Sequence, residues 1–318
     1  MTTLAPAPPT GTGRTPSSGA VGVAAGVGAY ALWGLLTLYW ARLSEVGWLE
    51  IIAHRIVWAL LVVAGVLAVR RRWDWVRELA RRPRALAALA AAGVLITVNW
   101  ALFIWAVTHQ HVVEASLGYY INPLVSVLLG VVVLGERLDG LRWAAVGLAA
   151  AGVAWLTVDY GGPPWISLAM AFSFGTYGLL KKLATVTALE SLAVETAVVF
   201  LPALGYLVWV AGDGAGSFGT SGLPTDLLLA ASGVATAVPL LLFGAAAARI
   251  PLSTVGLLQY LTPTVQLLIG VYLLGESVDG VQLVGFALVW AALIMLSAAT
   301  LRRRSPRDAV PERDALVG

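Results

Sequence analysis

The chain repeats itself: residues 102–143 align without a gap on residues 242–283, and 15 of those 42 positions are identical. The matches include residues that apolar composition alone would not supply. Tyr120 pairs with Tyr260, Pro123 with Pro263 and Gly130 with Gly270; Gly135, Glu136, Asp139 and Gly140 pair with Gly275, Glu276, Asp279 and Gly280. The two copies lie 140 residues apart, and that interval contains an odd number of apolar segments long enough to cross a bilayer. The copies must therefore face opposite ways across the membrane, which is the arrangement of inverted-repeat transporters.

Composition supports the setting independently. With 59% hydrophobic and 12% charged residues and a mean hydropathy of +0.85, the chain is far from the roughly 25% charge of soluble domains. A span needs about 20 apolar residues. Such segments fall at 20–41, 48–69, 85–107, 112–134, 143–158, 165–180, 190–210, 226–248, 252–274 and 281–301. The expectation is an all-α polytopic membrane protein of ten transmembrane helices, arranged as two inverted five-helix repeats at 20–158 and 165–301. A linker at 159–164 contains the Gly-Gly-Pro-Pro stretch. The Pro-, Thr-, Gly- and Ser-rich residues 1–19 and the charged residues 302–318 read as disordered cytoplasmic termini. The first span lacks a basic region directly before it and a small-residue cleavage site after it, so it reads as a retained helix.

Charge sets the orientation. Eighteen of the 20 Lys and Arg fall on the side shared by both termini, Arg42 lies opposite, and Arg55 sits inside a span. Positive charge accumulates in cytoplasmic loops, so both termini are expected in the cytoplasm. The net charge of +3 is explained by topology, not by a nucleic-acid partner. The absence of cysteine excludes disulfides and thiol-ligated metal sites. There is no phosphate-cradling Gly-Lys-Ser/Thr loop, so ATP-driven pumping is not supported.

Helix breaks and polar residues locate the expected site. Proline removes a backbone hydrogen bond that the membrane cannot replace. Pro123 and Pro263 lie near mid-segment, each after a polar residue, Asn122 and Thr262. Pro239 occupies the repeat position of Asn99. The segments at 85–107, 112–134, 226–248 and 252–274 are therefore expected to line a pathway, with Asn99, Trp100, Tyr119, Tyr120, Asn122, Gln259, Tyr260, Thr262 and Gln266 as substrate-binding residues. Packing kinks and interhelical polar bonds are the alternative use of the same residues.

Ionisable residues within spans are costly and mark function by default. Arg55, two turns into the second span, and Glu114, near the outer end of the fourth, are placed to form a gating or coupling pair. Glu195, at the repeat position of Arg55, is expected to play the matching inner part. His109 and His111 flank the turn between the third and fourth segments, but two histidines without further ligands do not define a metal site, and no cofactor is expected. Most tryptophans, Trp40, Trp48, Trp73, Trp75 and Trp143 among them, read as interfacial anchors, whereas Trp33 and Trp100 lie deep enough to face a cavity. The small residues Gly147, Ala151 and Ala154, and Gly285, Ala291 and Ala292, suit close helix packing or a homodimer.

Several stretches together resemble the RarD group of the EamA family, within the drug/metabolite transporter superfamily. They are Ala53-His54-Arg55-Ile56-Val57-Trp58, the run from Asn99 to Val107, the block HVVEASLGYYINP from His111 to Pro123, Pro164-Trp165 with the run from Ser173 to Leu180, and Gln259-Tyr260-Leu261-Thr262-Pro263-Thr264. The resemblance covers 20–301. It implies a bacterial inner-membrane exporter of ten helices, a central cavity between the two repeats, the last helix of each half at the periphery, and a small-molecule substrate. At the turn holding Thr108 and Gln110, the group carries an Asn and this sequence does not. The reading carried forward is a secondary transporter working by alternating access. A passive pore, a non-transporting scaffold or a membrane-embedded enzyme are the alternatives, the last lacking a clustered catalytic set.

Overall fold

The computed structural model describes residues 18–70, 73–135, 137–159, 163–184, 186–247, 249–250 and 258–302. Among these residues all regular structure is helical. The helices are α1 (Ser18–Ala41), α2 (Trp48–Arg70), α3 (Asp74–Ala80), α4 (Pro83–Thr108), α5 (Val112–Leu134), α6 (Gly140–Asp159), α7 (Trp165–Ala184), α8 (Ala188–Gly212), α9 (Leu223–Ala247), α10 (Leu261–Tyr272) and α11 (Gly280–Arg302). Eight of them, α1, α2, α4, α5, α6, α8, α9 and α11, are long and apolar enough to cross a membrane. α7 carries Lys181 and Lys182 in its last turn, and α10 has 12 described residues.

Three elements differ from expectation. α3 arises inside the arginine-rich stretch, where Leu79 turns inward against Ala85, Leu89 and Ala184 while its charged residues stay in solvent. Its single apolar face was too short to register as a period. Second, Pro263 does not interrupt α10; it lies in the first helical turn, where a missing N–H costs nothing. The segment 251–257, part of the expected helix over 252–274, lies outside the described residues, as do Glu136, the linker residues 160–162 and most of both termini. Third, Pro202 sits inside α8 alongside Pro123 in α5 and Pro239 in α9, and all three helices continue through their prolines.

The helix contacts fall into matched sets. α4 packs on α7 as α1 packs on α9; α5 packs on α7 as α1 packs on α10; α2 packs on α9 as α4 packs on α8. α2 meets α8, α5 meets α10 and α6 meets α11. Glycines permit the tightest of these approaches. A Cβ on Gly93 would sit 2.7 Å from the carbonyl oxygen of Glu195, and one on Gly233, 140 residues later, 2.5 Å from that of Trp58. Gly34 meets Val265, and Gly175 meets Val125. The sequence likeness of 33–36 to 177–180 pairs Gly34 with Gly178, yet Gly178 has open space beside it, so packing sets the register of α7 one turn away from that match. Gly135 and Gly275 end α5 and the turn after α10 with φ of 67° and 74°, a left-handed conformation that glycine adopts without steric cost.

Successive helices run back and forth, which defines two ends. The loop end holds 42–47, 109–111, 213–222 and 273–279; the terminal end holds Ser18, α3, 135–139 and Arg302. The largest core lies toward the loop end, where Trp40, Leu43, Val46, Ile51, Ile104, Val112, Ile166 and Leu229 pack together from both halves. A second core joins α5, α6 and α11 through Leu117, Leu156, Phe286 and Val289. At the terminal end the clusters around Leu192 and Leu89 are smaller.

Candidate solute site and its two ends

Arg55 projects from α2 into the loop-end core and is 5% exposed. Its guanidinium carbon lies 4.0 Å from the centre of the Trp100 ring and 5.1 Å from that of Trp40, close enough for cation–π attraction. α1 supplies Trp40 and Tyr39, α4 supplies Trp100 and Phe103, and α5 supplies Tyr119. The ring centres of Phe103 and Tyr119 stand 5.8 Å apart at 68°. Tyr39 donates its hydroxyl hydrogen to the Leu228 carbonyl and so ties α1 to α9. Arg55 Nε has no hydrogen-bond partner, and none of the ion pairs among the described residues reaches it.

The expected pairing of Arg55 with Glu114 is not formed. Glu114 accepts a hydrogen bond from the Ile166 backbone N–H at 3.2 Å and lies 3.7 Å from His111 Nδ1. Its backbone carbonyl accepts from the Ser167 hydroxyl. The carboxylate therefore caps the start of α7, whose free N–H groups attract an anion. His109 and His111 stack on Trp105 with ring centres 4.6 and 5.4 Å away, and no group of three potential metal ligands exists among the described residues. Between them Gln110 has φ 59°. That left-handed conformation suits Asn better than other non-glycine residues, which fits the Asn of the resembling group at this turn.

Glu195 is 2% exposed and fully engaged. Lys181 Nζ lies 3.3 Å away, the Tyr177 hydroxyl donates to it at 3.1 Å, and Ser191 donates one turn before it. Lys181 also donates to the Tyr177 oxygen at 2.8 Å.

The expected lining residues divide between faces. Asn99 Nδ2 donates to the Met170 carbonyl at 2.9 Å and to Ser173 Oγ at 3.1 Å, fastening α4 to α7. Thr262 donates to the Tyr30 carbonyl at 2.8 Å, fastening α10 to α1. Tyr119 and Trp100 face Arg55. Tyr120 turns the other way: its hydroxyl meets Thr264 Oγ1 at 2.7 Å and its ring packs edge-on against Phe286 and Trp290 of α11. Tyr260 packs on that same second core, and Gln259 sits half-buried in the turn before α10. Asn122 and Gln266 are buried, and Asn99 Oδ1, Asn122 Oδ1 and Gln266 Oε1 lack hydrogen-bond partners among the described residues. Trp33 joins Tyr30 and Phe243 in a separate aromatic group.

Two carboxylates that sequence reasoning did not single out bind backbone across the halves. Glu50 Oε1 accepts from the N–H groups of Ser217 and Phe218 at 2.8 and 3.2 Å. Glu276 accepts from Val112 N and Val113 N, both at 2.7 Å, and caps α5. The repeated Gly-Glu pair was the available signal for Glu276. Glu190, the repeat position of Glu50, instead closes a capping box on its own helix with Thr187. Beside it, at the terminal end, a cleft of about 270 Å³ runs between Trp75, Glu78, Leu79 and Arg82 on one side and Val186, Thr187 and Glu190 on the other.

A bundle of apolar helices with buried polar side chains and no catalytic cluster defines a multi-pass membrane transporter, and the EamA-like transporter family model matches the chain twice, over 20–158 and 163–298. The chain belongs to that family and, within it, to the RarD group. It is 54% identical to Protein RarD of Streptomyces exfoliatus over 286 residues, covering 89% of this chain and 91% of that one. It is 40% identical to Protein RarD of Escherichia coli (strain K12), covering 89% and 97%. It is also 43% identical to the uncharacterized transporter YojE of Bacillus subtilis (strain 168), covering 86% and 92%. A solved crystal structure shares the fold at a TM-score of 0.54 and 20% identity, covering 90% of this chain and 99% of the other.

Proposed function

We propose that this protein is a secondary transporter of the bacterial inner membrane, exporting a small metabolite or drug by alternating access between two inverted five-helix halves. Ten helices then cross the bilayer, α7 and a full-length α10 segment among them, and both termini are cytoplasmic. The lopsided distribution of Lys and Arg supports the orientation. The matched helix contacts and the 140-residue repeat support the inversion. The substrate meets the protein at the interface of the halves, against Arg55, Trp100 and Tyr119, with the unpartnered amide oxygens of Asn99, Asn122 and Gln266 as further acceptors.

The observation that carries this reading is the inequality of the two ends at equivalent positions. Glu50 holds the backbone of 217–218 at the loop end, whereas its counterpart Glu190 and residue 78, the counterpart of 218, line an open cleft at the terminal end. One gate is shut while the other is ajar, as alternating access requires. Two single cysteines in this Cys-free chain test it. In membrane vesicles a thiol reagent should label Val186→Cys readily and Val46→Cys slowly. Adding Glu50→Gln should raise labelling at 46 and lower it at 186. A pore would leave 186 unaffected, and a rigid scaffold would leave both unaffected.

A further inference from the structure

The geometry points to an anionic substrate: a small molecule with a flat apolar body and one oxyanion group, which binds the Arg55 guanidinium between Trp40 and Trp100. This rests on the transport reading and names the substrate class for its site. Arg55 is buried within a segment apolar enough to span a membrane, where an isolated cation is disfavoured unless it is paired. The other buried charge at the equivalent place, Glu195, has its cation and two hydroxyl donors. Arg55 has none of this. Its neighbours are two indoles, which attract it, and the rings of Tyr39 and Tyr119. Its Nε is without an acceptor, and the nearby carboxylate, Glu114, is committed to α7.

A planar guanidinium offers two parallel N–H groups to a carboxylate or phosphate, so an oxyanion satisfies both its charge and its hydrogen bonding. The ring faces of Trp100, Phe103 and Tyr119 then receive the apolar body. The Nε–H that the protein leaves unsatisfied is satisfied when the solute arrives, so binding favours the loaded carrier over the empty one.

The test uses purified full-length protein in detergent and four probes of similar size: benzoate, phenyl phosphate, benzamide and benzylammonium. Melting temperature and tryptophan fluorescence are recorded for each. At least one of the two anions should raise the melting temperature and perturb the fluorescence, while benzamide and benzylammonium should do neither. Benzoate acting alone assigns a carboxylate, and phenyl phosphate acting alone assigns a phosphate ester. Arg55→Lys, which keeps the charge and loses the fork, should weaken the anion at least tenfold. Arg55→Met should abolish the response and, without probe, melt at or above the parent, because it removes an uncompensated charge.

Equal responses to benzamide or benzylammonium would overturn the inference. So would silence from both anions, a parent-like response in Arg55→Met, or a ligand-free melting point of that variant well below the parent. If the inference fails while the cysteine pattern at 46 and 186 holds, the protein is a carrier for another class of solute. If the cysteine pattern fails, the transport reading itself falls.

Discussion

Arg55 and Glu195 stand 140 residues apart at equal positions of the two halves, and the fold treats them in opposite ways. Glu195 is saturated by Lys181, Tyr177 and Ser191. Arg55 is buried to a similar depth but meets aromatic faces and no acid. A paired buried charge holds helices together when its geometry is good, whereas an unpaired one is retained at a cost to stability. The comparison separates a structural charge from a receptive one, although both come from the same ancestral position in the repeat and both read alike as ionisable residues in a span.

Changing the glycines behind these two residues has the largest expected effect. Gly233→Ala would drive a Cβ to within 2.4 Å of the Trp58 backbone, one turn past Arg55, and Gly93→Ala to 2.7 Å from the Glu195 carbonyl oxygen. Backbone cannot yield as a flexible side chain can, so each should lose on the order of 3 kcal/mol, with Gly233→Ala the worse. Melting curves in detergent check the order; equal stability would show that the helices slide apart freely.

Lys181→Met comes next. It leaves Glu195 buried without its cation and should cost about 2 kcal/mol, at the low side for a buried pair because the lysine is part-exposed. Glu195→Gln added to Lys181→Met should recover most of the loss in a double-mutant cycle. If Lys181→Met melts like the parent, the contrast with Arg55 disappears. Glu276→Ala removes the acceptor of two backbone N–H groups and should cost about 1–2 kcal/mol, as losing a helix cap does. Amide exchange at Val112 and Val113 should quicken in that variant, while exchange mid-way along α5 should not. Smallest is Tyr120→Phe, which loses one hydrogen bond to Thr264 and should cost about 1 kcal/mol without altering any response of the Arg55 site. A transport defect beyond that stability loss would move Tyr120 back among the solute contacts.

Much of the fold was legible because a membrane span must be apolar along its whole length, so windows of composition find it within a few residues. α3 was not, since seven residues carry too little pattern, and the start of α10 was not, since a proline reads alike in mid-helix and in a first turn. For the site, the sequence singled out Arg55, Trp100, Tyr119 and Glu195. It could not tell Tyr119 from Tyr120, adjacent residues about 100° apart on a helix, because which face looks inward depends on neighbouring helices. Trp40 reads as an interfacial anchor from its place at a span end, yet it is 1% exposed because the turn after α1 folds Leu43 and Val46 over it. Glu50 and Glu276 escaped for a similar reason: their partners are backbone groups more than 160 residues away, and backbone groups leave no trace in residue identity.

That last pattern has a genetic corollary. Because Glu276 grips α5 through two main-chain N–H groups, the side chains at 112 and 113 are free to drift among apolar types without loosening the joint, whereas position 276 tolerates no shorter or neutral replacement. A saturation library across both segments should therefore return many survivors at one and almost none at the other, and the fastening would be visible as a silence in the mutational record opposite a stretch of noise.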